Sequence, residues 1–324
     1  MVIAGVDIGY GWTKAVSGDR RVSFPSVVGL SPGRIFQIDP ARKPISIAID
    51  GREYLCGRDA LKHCRTVMDV KHRDYVGSEA HRCLLLHALS ELFDEPAAEC
   101  TIVTGLPMAH YRRFRENYGS YERTHRFRLD GVERALTLRI ARVIPQPVGT
   151  LFDLTLSPAG QMVEVGFARR RVGVIDVGFW TTDVILLDEL ELEEPRCGGV
   201  EIGLSALLED VRQRIEQAHG RTLTLREAEE VLRTGRVRIY GEERNAEEEV
   251  RGATEDFASV LTDFVRNLWG SAEDVDYIVL TGGGVLWVKE PLRSCFPQAR
   301  SMAEPVFANA RGFFKYAVRL TQRG

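Results

Sequence analysis

Two aspartates in this chain end short apolar runs of β-forming residues, and each is followed by a glycine turn that leads a hydroxyl residue into a second run. The first copy reads AGVDIGYGWTK over 4–14, with Asp7, Gly9, Gly11, Thr13 and Lys14; the second reads GVIDVGFWTTD over 173–183, with Asp176, Gly178 and Thr181. Glycines let a backbone approach a ligand without interference from a Cβ, and successive N–H groups in such a turn attract anions. A carboxylate at the strand end is then left for a hard cation or its waters. This inventory suits a triphosphate and its metal: Asp7 and Asp176 form the acidic pair around Mg²⁺, and Lys14 reaches the β- or γ-phosphate. Gln146, between Pro145 and Pro147, can orient a water without being a strong base. A third turn, TGGG at 281–284, follows an apolar run and offers Gly282, Gly283 and Gly284 as bare backbone for a flat ligand. Phosphoryl transfer asks a protein mainly for positioning and neutralisation, which these groups supply. The alternative for the first copy is a plain hairpin whose aspartate caps its turn.

Other chemistries lack their residues. GxxxxGKS/T, GxGxxG in the first turn, HExxH and GxSxG are all absent, and the seven histidines make no zinc spacing with the cysteines. A formal charge of −3 over 324 residues does not advertise nucleic-acid binding. Six cysteines without CxxC spacing point to free thiols in a reducing, cytoplasmic setting. No apolar stretch is long enough to span a bilayer, so neither a membrane nor a secretory route is expected.

The elements that must position these groups follow from periodicity. Strands are expected at 2–6, 44–49, 100–104, 136–143, 184–187 and 277–280, and helices at 78–93, 148–156, 201–217, 224–232, 257–268 and 309–320. Glu201 starts the third of these helices, introduced by Gly198 and Gly199. Tyr111–Arg128 interleaves six arginines with aromatic residues; an amphipathic helix whose arginine stems cover apolar surface is preferred to a nucleic-acid surface. The acidic stretch 242–249 reads as a solvated helix or loop, because consecutive glutamates on a helix do not converge on a metal. Prolines including Pro25, Pro32 and Pro40 mark a small inserted element.

The sequence resembles the actin-like ATPases of bacteria and archaea, particularly the plasmid-segregation branch (ParM/StbA-like). VDIGYGWTK at 6–14 and IDVGFWTTD at 175–183 look like that family's two phosphate motifs. IPQPVG at 144–149 and NARGF at 309–313 look like its connecting motifs, and LTGGGV at 280–285 is similar to its adenosine motif. The five occur in the family's order over nearly the whole chain. The resemblance implies an α/β, actin-like (ribonuclease-H-like) two-domain ATPase fold with a nucleotide cleft between the domains. The domains would be 1–155, with an inserted subdomain at about 20–75, and 156–304, with 305–324 as a helix returning to the first. It implies that ATP/ADP and Mg²⁺ are the cofactors, with Asp7 and Asp176 facing the metal. Gly9, Gly11, Trp12, Thr13, Lys14, Gly178 and Thr181 would face phosphates, and Gly282, Gly283 and Gly284 the base or ribose. Gly199 would introduce a nucleotide-side helix and Glu201 would approach the ribose. Gln146 and Asp176 would be the catalytic pair. As partners it implies self-association into head-to-tail filaments and a DNA-bound adaptor protein, with no direct nucleic acid and no membrane. The alternatives are a non-polymerising actin-fold nucleotide-binding regulator and a small-molecule kinase.

Overall fold

A computed structural model describes residues 1–33, 35, 43–68 and 75–323. Pro40 lies outside these, as do parts of the expected 20–75 insertion. The chain divides into two compact units, Met1–Val165 with Phe307–Gly324, and Gly166–Val306.

The first unit begins with β1 (Val2–Ile8), β2 (Trp12–Ser17) and β3 (Arg20–Pro25), an antiparallel meander. There follow β4 (Val28–Leu30), β5 (Ser46–Ile49), β6 (Arg52–Cys56), α1 (Gly57–His63), α2 (Glu79–Ser90), β7 (Ala97–Leu106) and α3 (Met108–Phe114). A 3₁₀ segment (Arg115–Tyr121), β8 (Thr124–Leu129), β9 (Val132–Pro145) and α4 (Gln146–Thr155) complete its N-terminal part. The strands form one sheet in the order β3-β2-β1-β7-β9-β8-β5-β6-β4, with β1, β7 and β9 parallel. Ser78 caps α2 by accepting from the His81 amide, and ten of the helix's twelve residues are buried.

The basic stretch 111–128 is not one helix. It ends α3 at Phe114, passes through the 3₁₀ segment and becomes β8, where His125 and Phe127 are buried between exposed Thr124, Arg126 and Arg128. That alternation has period 2 and so belongs to a half-buried strand. On the buried face of α2, His81 is 1% exposed, with Nδ1 2.8 Å from the Tyr121 hydroxyl and Nε2 3.0 Å from that of Tyr118. Burial lowers its pKa to about 3, so the folded ring stays neutral while the unfolded ring takes up a proton below about pH 6.5. Stability from this group is full above pH 6.5 and is lost as pH falls from there toward 3. The expected slope is about 1.4 kcal/mol per pH unit. Urea unfolding of wild type and His81→Gln between pH 7.5 and 5 should show that slope as a difference between them; parallel pH dependences would contradict it.

The second unit repeats the pattern on a smaller scale, with β10 (Arg171–Val177), β11 (Thr182–Asp188), β12 (Glu191–Leu192), β13 (Gly198–Val200), α5 (Leu204–His219) and α6 (Leu225–Thr234). A hairpin of β14 (Arg236–Ile239) and β15 (Glu242–Asn245) follows, then α7 (Glu247–Trp269), β16 (Tyr277–Thr281), α8 (Val285–Cys295) and β17 (Ala299–Ser301). Its sheet runs β12-β11-β10-β16-β17, and β13 also pairs with β11. An antiparallel meander joined through its first strand to two parallel strands is thus common to both units.

Three sequence expectations are corrected here. Gly198 and Gly199 lie in a strand, and the helix expected from Glu201 begins at Leu204. Its first amides are already engaged, Leu204 N donating to Gly178 O (3.0 Å) and Ser205 N to Phe179 O (2.7 Å), so the second glycine turn itself sets the helix start. The acidic stretch divides between β15, closed on β14 by the positive-φ pair Tyr240–Gly241, and the first turn of α7, where glutamates favour the helix dipole. The helix expected from 257 starts ten residues earlier, at Glu247.

The C-terminal helix, α9 (Ala308–Arg323), belongs to the first unit and packs on β1, β7 and α4. A Cβ on Gly5 would overlap the backbone of Ala310 and Phe314, and one on Gly312 the carbonyl of Gly149. Side chains fix the rotation. Thr150 Oγ1 donates to Asn309 Oδ1 (2.8 Å), and buried Asp153 pairs with Arg311 (2.6 Å) and Lys315 (2.7 Å). Among the described residues no helix is long and apolar enough to cross a membrane.

Candidate phosphate-binding turns

In the first unit the β1–β2 register sets Asp7 opposite Lys14. Directly paired residues of an antiparallel hairpin share a face, and Lys14 Nζ lies 3.1 Å from Asp7 Oδ2. Gln146, the first residue of α4, donates from Nε2 to Asp7 Oδ1 at 2.8 Å. Asp7 and Gln146 are buried, at 3% and 8% exposure, so both carboxylate oxygens are satisfied without water. The turn is closed by Gly9 N donating to Trp12 O (3.1 Å). Thr13 is fully buried and its hydroxyl meets Ser26 Oγ at 2.9 Å; Ser26 Oγ also donates to Gly9 O (2.5 Å), and Ser26 N to Gly11 O (2.9 Å). Ser26 therefore braces the turn from behind, and the Thr13 side chain faces that brace. Tyr10, at the tip, reaches His110 Nδ1 on α3 with its hydroxyl (2.8 Å).

In the second unit the β10–β11 register sets Asp176 opposite Asp183. Asp183 thus occupies the hairpin position that Lys14 takes in the first. Both aspartates are buried, at 7% and 3% exposure, and Thr181 Oγ1 donates to Asp183 Oδ2 at 3.1 Å. Gly178 N closes the turn on Thr181 O (2.8 Å). Thr281 lies beside Asp176 on β16, bringing the third glycine turn against the second. Gly282 has φ +85°, where an L side chain is strained, and a Cβ there would overlap Val177 O and Asp176 Oδ1. Gly284 N donates to Val177 O (2.8 Å), whereas Gly283 faces open space. Gly199 is paired with Asp183 across β13–β11. Glu201 is exposed in a bend outside the helix.

The structure therefore gathers Asp7, Lys14 and Gln146 in one unit, and Asp176, Gly178, Thr181, Gly282 and Gly284 in the other. It adds Ser26 behind the first turn and Asp183 opposite Asp176. Gly282→Ala is expected to weaken nucleotide binding at least tenfold, since the clash falls on the Asp176 carboxylate itself; fluorescent-nucleotide titration measures it, and unchanged affinity would show that the turn does not touch the ligand.

The duplicated sheet and paired glycine turns define the class as a two-domain actin-type α/β protein. The family described as "Actin like proteins N terminal domain" matches residues 5–149, and "Archaeal actin homologue MreB-like, C-terminal" matches residues 174–294. The chain belongs to the actin-like protein family. It is similar to an archaeal actin homolog of Thermoplasma volcanium, 23% identical over 98% of this chain and 99% of that protein. Its fold is that of the archaeal actin homolog Ta0583 in complex with ADP, at TM-score 0.81 and 21% identity over 98% of this chain and 100% of that one. A ParM filament from Clostridium botulinum is also similar, at TM-score 0.80 and 21% identity over 98% of each chain.

Proposed function

We propose that this protein is an actin-like ATPase that binds ATP with Mg²⁺, hydrolyses it and assembles into head-to-tail filaments. The observation that carries the reading is the repeated hairpin, which in each unit buries a carboxylate at the foot of a glycine turn. The ADP complex of the similar archaeal homolog and the filament formed by the similar ParM support it.

The donor set fits Mg²⁺, which takes oxygen ligands, keeps several waters and is usually held by one or two carboxylates plus substrate phosphates. Among the described residues no three acidic, histidine or cysteine side chains converge into a protein-only metal cage. Asp7 in the first unit, and Asp176 with Asp183 in the second, are each a carboxylate site that would serve the cation or its waters, and the cation would neutralise charge on the transferring phosphoryl group. Lys14 leaves Asp7 to meet a phosphate. Gln146, anchored through Nε2 to Asp7, presents its Oε1 to a water. The turns around Gly9, Gly11, Trp12 and Thr13, and around Gly178 and Thr181, offer backbone N–H groups to phosphates, and Gly282–Gly284 offer backbone to the adenosine. Following the resemblance to plasmid-segregation ATPases, the filaments would move DNA through an adaptor protein, in the cytoplasm.

Phosphate release measured over a protein concentration series tests this reading. Turnover per molecule should rise above a threshold concentration with Mg²⁺ and ATP; no release at any concentration would contradict it.

A further inference from the structure

Both glycine turns are held by their carbonyls. In the second unit the donors are backbone groups, Leu204 N on Gly178 O and Ser205 N on Phe179 O. In the first unit two of the donors belong to a single residue: Ser26 Oγ donates to Gly9 O (2.5 Å) and Ser26 N to Gly11 O (2.9 Å). Ser26 is 1% exposed and lies in the link between β3 and β4. The next residue of that link, Val27, donates to Pro25 O (2.8 Å) and accepts from Gly57 N (2.8 Å). The brace is thus tied to the end of β3 and to the start of α1.

Counting protons gives the direction of the hydroxyl bonds. Serine and threonine each carry one O–H. That of Ser26 goes to Gly9 O, so in the 2.9 Å contact between Thr13 Oγ1 and Ser26 Oγ the threonine is the donor. A directed chain runs from fully buried Thr13 through Ser26 to Gly9, each bond polarising the next. A trans peptide unit points its C=O and N–H in opposite directions, and among the described residues no peptide is cis. Drawing the Gly9 and Gly11 carbonyls toward Ser26 therefore turns the amides of Tyr10 and Trp12 to the opposite side. A turn that presents amides attracts anions, and one that presents carbonyl oxygens repels them. Lys14 Nζ stands beside the same turn, 3.9 Å from where a Cβ on Gly9 would be.

We propose that Ser26, with Thr13 behind it, is a positioning residue for phosphate: without touching the ligand, it sets which side of the first turn meets the β- and γ-phosphates. This rests on the nucleotide-binding reading and adds to it the group that orients the turn. The second turn needs no such side chain, because the first amides of α5 hold its carbonyls.

The test titrates the full-length protein with a fluorescent ADP analogue and displaces it with AMP, ADP and ATP. Ser26→Ala should weaken ADP and ATP about tenfold or more, the scale of one hydrogen bond to a charged group, and AMP less than about twofold. Thr13→Val removes only the donor behind Ser26 and should cost ADP and ATP about threefold, the scale of a neutral hydrogen bond. Thr13→Ser, which keeps that donor, should recover most of this loss. Ser26→Ala combined with Thr13→Val should lose no more than Ser26→Ala alone, since both act through one chain. Unchanged ADP and ATP affinities in Ser26→Ala would overturn the brace, and so would equal losses for all three nucleotides, the mark of a generally loosened unit. A larger loss in Thr13→Val than in Ser26→Ala would put the threonine hydroxyl on the phosphate itself and overturn the chain. Should Ser26→Ala fail to fold, the two Thr13 variants decide, and equal affinities in them would overturn the proposal. Wild type that binds neither ADP nor ATP would remove the nucleotide reading, and this inference with it.

Discussion

Asp176→Asn is expected to lower phosphate release on the order of 10²- to 10³-fold, the range for removing one preorganised stabiliser of transition-state charge, while ATP affinity changes only a few-fold. The substitution keeps the shape of a side chain that is 7% exposed at the end of β10, so the fold should tolerate it. What it removes is half of the negative charge that Asp176 and Asp183 place across one hairpin. Paired carboxylates in register are oxygen donors of the kind that holds Mg²⁺ or its waters. Asp183→Asn should therefore impair turnover as well, and the double variant should cost less than the two losses added, because both act on one ion. Single-turnover phosphate release with a parallel binding titration measures this. Unchanged hydrolysis in Asp176→Asn would sink the assignment; lost binding with lost turnover would mean that the carboxylate holds the ground-state complex instead.

Gly312→Val is the second large effect, expected to cost more than about 4 kcal/mol and to prevent folding of the first unit at 37 °C. A Cβ on Gly312 would overlap the Gly149 carbonyl oxygen and stand 2.6 Å from its carbon and 2.8 Å from Asp153 N. These are backbone atoms of α4 and cannot rotate away. Gly149 is itself closed in by Phe313, 2.5 Å from where its Cβ would be, and Asp153 is held by Arg311 and Lys315. The two helices can separate only by breaking that buried ion cluster, which is far costlier than losing a surface pair. Because Gln146 begins α4 and donates to Asp7, any surviving protein with a displaced α4 should also bind nucleotide poorly. A thermal midpoint within a few degrees of wild type would contradict the packing argument.

Much of this arrangement is legible in the sequence where local rules and fold agree. The two aspartates announce themselves because the strand end, glycine turn and hydroxyl recur in one order, and Gln146 because prolines flank it. The small residues Ala310 and Gly312 mark the close approach of α9. Asp183 also has a signal in the sequence: it follows Asp176 by the same interval that separates Lys14 from Asp7, so superposing the copies places a carboxylate where an ammonium stands. Ser26 carried no local signal, since its position behind the first turn depends on the β2–β3 register. Ile202, Leu204 and Leu207 keep a helical spacing that extends the pattern back to Glu201, but tertiary hydrogen bonds to the second glycine turn take the first amides at Leu204 and Ser205. In 111–128 composition conceals the period 2 of β8, because the alternate residues are long and charged, whereas β15 has no buried alternation to read, all four of its residues being exposed.

Sedimentation of the purified protein over a concentration series, with Mg²⁺ and ATP and without nucleotide, bears most directly on the claim of a nucleotide-driven polymer. The account predicts a pellet that appears only above a critical concentration with ATP and grows linearly beyond it. Protein that stays soluble at every concentration, while binding ATP in the same samples, would contradict filament assembly and leave an actin-fold nucleotide-binding regulator.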